Sequence, residues 1–146
     1  MSESILFDIE TDGLNPTQIH CIGILSLDTL EYQDYYKDTL VDGIIRIDEA
    51  GIITGHNVKG FDCLVIERLT EGLVHFDYKN IIDTLDLSRA LMPGLPNHKL
   101  KTWGHMLGYP KFEFDQFATL TDEMLLYMKR DILLNYKVFK VLTSLL

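Results

Sequence analysis

A carboxylate at the centre of an apolar helical face constrains this chain more than any other feature. The stretch from Thr121 to about Leu145 reads as one long helix, with Thr121 as its N-cap and acidic Asp122 and Glu123 in the first turn. Projected at about 3.6 residues per turn, Met124, Tyr127, Met128, Leu134, Val138, Leu142 and Leu145 form one stripe, and Asp131 sits in its middle. An unpaired buried carboxylate costs several kcal/mol, so whatever packs on this face must bring a cation to Asp131. That cation is either a lysine or arginine from elsewhere in the chain or a metal ion.

The rest of the sequence supplies a sheet for the helix to cover. Residues Ser4–Glu10 alternate as a strand, with Ile5, Phe7 and Ile9 facing one way and Leu6, Asp8 and Glu10 the other. Strands at about Ile19–Leu27 and Tyr32–Lys37 form an antiparallel pair with a tight turn near Asp28-Thr29. A helix over Leu40–Ala50, a short strand Ile52–Thr54 and a helix over about Lys59–Thr70, stopped by Gly72, come next. A strand near Asn80–Ile82 then precedes helices over Leu85–Leu91 and Lys99–Leu107. This order predicts an α/β fold, a mixed five-stranded sheet flanked by helices with a long C-terminal helix. No repeat or linker interrupts it, so residues 1–146 read as a single domain too short to hold a second module.

With 47% hydrophobic residues and no low-complexity tract, the chain has the composition of a folded protein. Its first apolar stretch is broken by Asp8, which fits neither a secretory signal nor a membrane span, so the expected location is cytoplasmic and no membrane partner is expected. Cys21 and Cys63 lack metal-ligand spacing and read as buried small hydrophobes. A formal net charge of −9 argues against a protein that grips long nucleic acid. It ceases to be a guide if the carboxylates are gathered to hold cations.

Asp8 and Glu10 lie two apart on a strand, so both side chains leave the same face at its C-terminal end. Like charges that close destabilise each other unless a cation lies between them. Asp62 follows in Asn57-Val58-Lys59-Gly60-Phe61-Asp62, early in a helix that leaves a short strand. A set of hard oxygen ligands with no His or Cys suits magnesium or manganese rather than zinc. Two such ions held about 3.5–4 Å apart clamp a phosphodiester during in-line attack, and their charge balances that of Asp8, Glu10, Asp62 and Asp131. Tyr127 lies one helical turn before Asp131. Its ordinary pKa of about 10 is too high for an efficient general base, so orienting the attacking water is the better role. An EF-hand reading of Asp8-Ile9-Glu10-Thr11-Asp12-Gly13 fails, because the twelfth loop position is Ile19 and the preceding segment is a strand.

Together these residues resemble the DEDD superfamily of 3′–5′ exonucleases, which have a ribonuclease H-like fold. The first motif looks like Phe7-Asp8-Ile9-Glu10-Thr11, the second like Asn57-x-x-x-Phe61-Asp62 and the third like Tyr127-x-x-x-Asp131. A tyrosine in the third motif is similar to the branch that includes ribonuclease D and the proofreading domains of family A DNA polymerases. Ile82-Asp83-Thr84-Leu85, Leu87-Ser88-Arg89 and His98-x-Leu100-x-x-Trp103-Gly104-x-x-Leu107-Gly108 resemble stretches of the bacteriophage-type proofreading domains.

The resemblance implies a hydrolase that releases nucleoside 5′-monophosphates from the 3′ end of DNA, single-stranded or frayed. It implies two Mg2+ (or Mn2+) ions held by Asp8, Glu10, Asp62 and Asp131, with Tyr127 orienting the water. Thr11, Leu14, His56 and Asn57 are the expected contacts to the terminal nucleotide, and Trp103 reads as a core anchor. Lys99 and Lys101 read as a solvated helix face in which phosphate contact is the lesser alternative. An RNA substrate, as in ribonuclease D, stays open, as does a non-catalytic accessory module that binds a polymerase or other replication partner. For a phage-encoded chain the expected location is the host cytoplasm.

Overall fold

The structure is a computed structural model and describes residues 2–146. Five strands, β1 (Ser4–Thr11), β2 (Ile19–Ser26), β3 (Tyr32–Tyr36), β4 (Ile52–Gly55) and β5 (Ile81–Asp83), form one sheet in the order β3-β2-β1-β4-β5. The first three are antiparallel neighbours, while β4 and β5 run parallel to β1. The mixed five-stranded sheet expected from the sequence is therefore present. Its helices are α1 (Leu40–Glu49), α2 (Cys63–Leu69), α3 (Thr84–Leu91), α4 (Leu100–Met106) and α5 (Asp122–Ser144). Among the described residues no helix is long and apolar enough to cross a membrane.

Alternation along β1 builds two cores. Ile5, Phe7 and Ile9 join Ile22 and Ile24 of β2 under α1 and α2, whereas Leu6 joins Cys21, Leu25 and the α5 residues Met124, Met128 and Ile132 on the opposite face. A third cluster closes α3 and α4 against the second half of α5 around Trp103, Leu134, Val138 and Leu142. Trp103 is 1% exposed and donates its indole N–H to Ser88 Oγ at 2.9 Å, which makes it the core anchor the sequence suggested. Both cysteines are buried and free.

Two local features set the level of α5 over the sheet. Gly23 pairs with Asp8 across the β1–β2 ladder, and a Cβ there would collide with Ile132 and Tyr32, so only glycine lets the helix come this close. Thr121 caps α5 by accepting the Met124 N–H at 3.1 Å. The buried face of α5 is wider than the single stripe drawn from sequence. It includes Ile132 and Asn135, because α3 and α4 cover the helix from a second side. Leu145 leaves the stripe, at 51% exposed, since it lies past the last turn, and Tyr127 is only half-buried.

Candidate active site

β1 outruns its parallel partner. Its register with β4 covers Ser4–Leu6 only, so the N–H groups beyond lack a strand on that side. The Asp62 carboxylate takes over there, accepting the Ile9 N–H at 3.2 Å. What delivers Asp62 is a π-type turn, Val58–Asp62, entered through Asn57 at φ 60. The carboxylate of Asp83, the N-cap of α3, fixes that turn by accepting from Asn57 N at 2.8 Å and Lys59 N at 3.1 Å. The register slip between Glu10 and Thr11 bends the other edge of β1 at the same level.

These devices bring together carboxylates that are distant in sequence. Asp8, Glu10 and Asp131 each present an oxygen, and the three lie within 4.8 Å of one another. Asp62 stands beside them, its carboxyl group within hydrogen-bonding reach of Asp8. Burial, reinforced by the charges of Asp62 and Asp131, holds Asp8 well above the usual carboxylate range. Burial and the charges of Asp8 and Asp131 push Glu10 up to about 10. Asp62 is raised by burial to about 7, with the Ile9 N–H pulling the other way. Asp131 is raised by burial to about 6, opposed by the neighbouring Lys111 ammonium.

Four carboxyl groups that resist ionising together are a site made for positive charge. Asp131 Oδ1 is buried without a hydrogen-bond partner, although Oδ2 lies 3.4 Å from Lys111 Nζ. One lysine therefore answers half of one carboxylate, and the remaining oxygens fit a hard divalent cation. Both cation sources weighed for Asp131 thus find support here, the lysine in contact and the metal in the unanswered oxygens.

Tyr127 stands over this cluster. Burial and the charge of Asp131 raise its pKa, so the hydroxyl keeps its proton at neutral pH. Its ring is walled by Phe114, with centroids 5.2 Å apart, and Phe117 at 6.1 Å, and Lys111 Nζ lies 5.2 Å from its centroid. Lys111, Phe114 and Phe117 belong to the irregular segment between α4 and α5, which carries no periodicity and gave no sequence signal. His20 ties that segment to β2 through its ring Nε2 and the Phe117 carbonyl at 2.8 Å.

The expected nucleotide contacts divide into two groups. Thr11 and Leu14 line a slot of about 240 Å³ with Ile9, Glu10, Phe61 and Phe117, directly beside the carboxylates. Leu14 is 96% exposed, a position no packing argument explains. His56 and Asn57, the other two expected contacts, are not among the residues that line the slot. Both ring nitrogens of His56 are taken, by Thr84 Oγ1 and by the His98 carbonyl, each at 2.8 Å, and burial holds its pKa low. Asn57 spends its backbone on the left-handed turn, and its side chain folds over Gly60. Thr84 also accepts from Asn135 Nδ2 at 2.8 Å, so His56 belongs to a brace between β4, α3 and α5 one turn beyond Asp131.

Solved structures share this arrangement of elements. Brucella melitensis NrnC with bound Mg2+ matches over 99% of this chain and 73% of its own, at 18% identity and a TM-score of 0.72. The family B DNA polymerase of the archaeon Pyrobaculum calidifontis matches over 98% of this chain and 25% of its own, at 11% identity and a TM-score of 0.69. Phi29 DNA polymerase complexed with single-stranded DNA matches over 99% and 32%, at 13% identity and a TM-score of 0.66. No curated protein shows a significant sequence match. A family model, the RNase_H superfamily, matches residues 5–116, most of the chain, and the protein accordingly belongs to the RNase_H superfamily.

Proposed function

We propose that residues 1–146 act as one 3′–5′ exonuclease domain of the tyrosine branch of the DEDD superfamily, hydrolysing terminal phosphodiester bonds of single-stranded or frayed DNA. The observation that carries this reading is the convergence of Asp8, Glu10 and Asp131 oxygens within 4.8 Å, with one Asp131 oxygen buried and unanswered. Asp8, Glu10, Asp62 and Asp131 would hold two magnesium or manganese ions. Bound there, the ions supply positive charge to the scissile phosphate and acidify the attacking water.

The chain's own groups do the positioning. Tyr127 keeps its proton and orients the water through its hydroxyl. Lys111 adds a fixed positive charge beside Asp131, where negative charge develops in the transition state. The slot between Leu14, Phe61 and Phe117 takes the terminal base by apolar contact, which is indifferent to base identity. Departure of the 3′-hydroxyl of the penultimate sugar leaves a nucleoside 5′-monophosphate.

The test is digestion of a 5′-labelled single strand in magnesium or manganese, repeated with Asp8→Ala. A ladder that shortens from the 3′ end and disappears in the variant is the expected result, and a ladder that survives Asp8→Ala removes the reading. RNA is the second substrate to compare, favoured by the fold shared with NrnC, one structure of which is bound to pGG. Matched DNA and RNA oligonucleotides separate the two. Proofreading alongside a polymerase would follow from the DNA outcome, with the proteins of replication as partners.

A further inference from the structure

A second, larger cleft opens beside the carboxylates, between α4 and the loop that follows it, with a volume of about 660 Å³. Lys101 and His105 line it from α4, four residues apart and so on one helical face, and Phe112 and Phe114 line it from the loop. Lys111 and Tyr127 close its inner end, so it shares a wall with the site already described. Its shape is built in. Arg130 Nε donates to the Pro110 carbonyl at 2.9 Å, while its guanidinium lies 3.5 Å from the Tyr109 ring and 4.7 Å from that of Phe112, fastening the loop to α5.

Charge in this protein is segregated. The last fifty residues hold seven of the thirteen lysines and arginines and only five of the twenty-two aspartates and glutamates, whereas the first fifty hold two and eleven. The cleft is lined from this less acidic part of the sequence and sets the exposed Lys101 beside aromatic faces. Phe112 is 48% exposed. Cations spaced among ring faces suit one macromolecular occupant, a single polynucleotide strand, whose phosphates meet the former and whose bases stack on the latter. Glu113 and Asp115 also border the cleft and would turn a phosphate away from the loop toward Lys101 and His105.

We propose that this cleft is the track for the nucleotides upstream of the scissile bond, so that a single strand runs along α4 with its 3′ end in the slot beyond Tyr127. The inference rests on the exonuclease reading, and two measurements separate its failure from that of the reading. The first is anisotropy of a 5′-fluorescein octanucleotide in EDTA, which reads the track without the chemistry. Lys101→Glu combined with His105→Ala, both on exposed positions, should weaken binding at least ten-fold and lower the slope of log Kd against log salt by about 0.7 for the lost contact. Lys79→Ala, far along the chain and exposed, should match wild type.

The second is KM for an octanucleotide against a dinucleotide in manganese. Wild type should favour the octanucleotide, and the double variant should lose most of that preference. A length preference that survives the double variant overturns the track while leaving the exonuclease intact, and so does a wild-type enzyme with no length preference. Binding that responds to the variant without cleavage of either substrate removes the exonuclease, and with it the track to a scissile bond, and leaves the cleft as a strand-binding surface only.

Discussion

Replacing Asp131 by Asn should make the metal-free protein more stable while abolishing its response to manganese. Burial holds Asp131 at about 6 against an ordinary 3.8, even with the Lys111 ammonium beside it pulling the other way. At 1.36 kcal/mol per unit, carrying that charge costs the fold about 3 kcal/mol once both pKa values are exceeded. Asn has the same shape and no charge, so Asp131→Asn should recover most of it. For a chain of this length that is a rise in Tm of roughly 10 °C. The sign with pH follows from linkage. The folded state binds the Asp131 proton more tightly than the unfolded chain, so this one group costs the wild type stability as pH climbs from about 4 through about 6 and a constant amount above that, while Asp62 and Glu10, held at about 7 and about 10, go on costing stability at higher pH. The assay is thermal unfolding of both proteins in EDTA at pH 4.5 and pH 8, repeated with manganese. The gap between the two should be about 1 kcal/mol at pH 4.5 and about 3 kcal/mol at pH 8, and manganese at pH 8 should raise the wild-type Tm and leave the variant's unchanged. A variant less stable than wild type at pH 8 would show that the Lys111 pair stabilises the fold, and that Asp131 is structural.

Lys111→Ala should cut kcat ten- to a hundred-fold with a smaller change in KM, since it removes charge from the reacting centre rather than a contact to the bound strand; steady-state kinetics on a single-stranded oligonucleotide show which parameter moves. Phe117→Ala opens the slot and one wall of the Tyr127 ring, and should raise KM about ten-fold alongside a fall in kcat, while the equivalent change at the exposed Leu73 does neither. Asn135→Leu leaves Thr84 without its donor and the brace incomplete, for a loss of about 1–3 kcal/mol in urea unfolding together with weaker manganese binding by calorimetry. An unchanged manganese affinity there would separate the brace from the placing of Asp131.

The strand alternation of Ser4–Glu10, the pairing of the next two strands and the long capped helix were all legible because each is a short-range pattern, period 2 or period 3.6, with its turn residues attached. Asp131 was legible for the opposite reason, as a violation of such a pattern. Lys111, Phe114 and Phe117 were not, because an irregular segment has no period to read and its side chains acquire meaning only from what α5 and β1 place beneath them. The bracing contacts of His56 were not legible either, because its partners, Thr84 and the His98 carbonyl, lie 28 and 42 residues away.

By itself, the sequence determined which residues carry charge that a folded core must answer, and in what order strands and helices present them. Tertiary structure alone decided that Asp8, Glu10 and Asp131 meet, that Asp62 fills the hydrogen bond β4 leaves open, and that a lysine answers only one oxygen of Asp131. Periodicity is a property of neighbours along the chain, whereas desolvation and Coulomb repulsion depend on distances across it, and those are set only when the sheet and α5 close on each other.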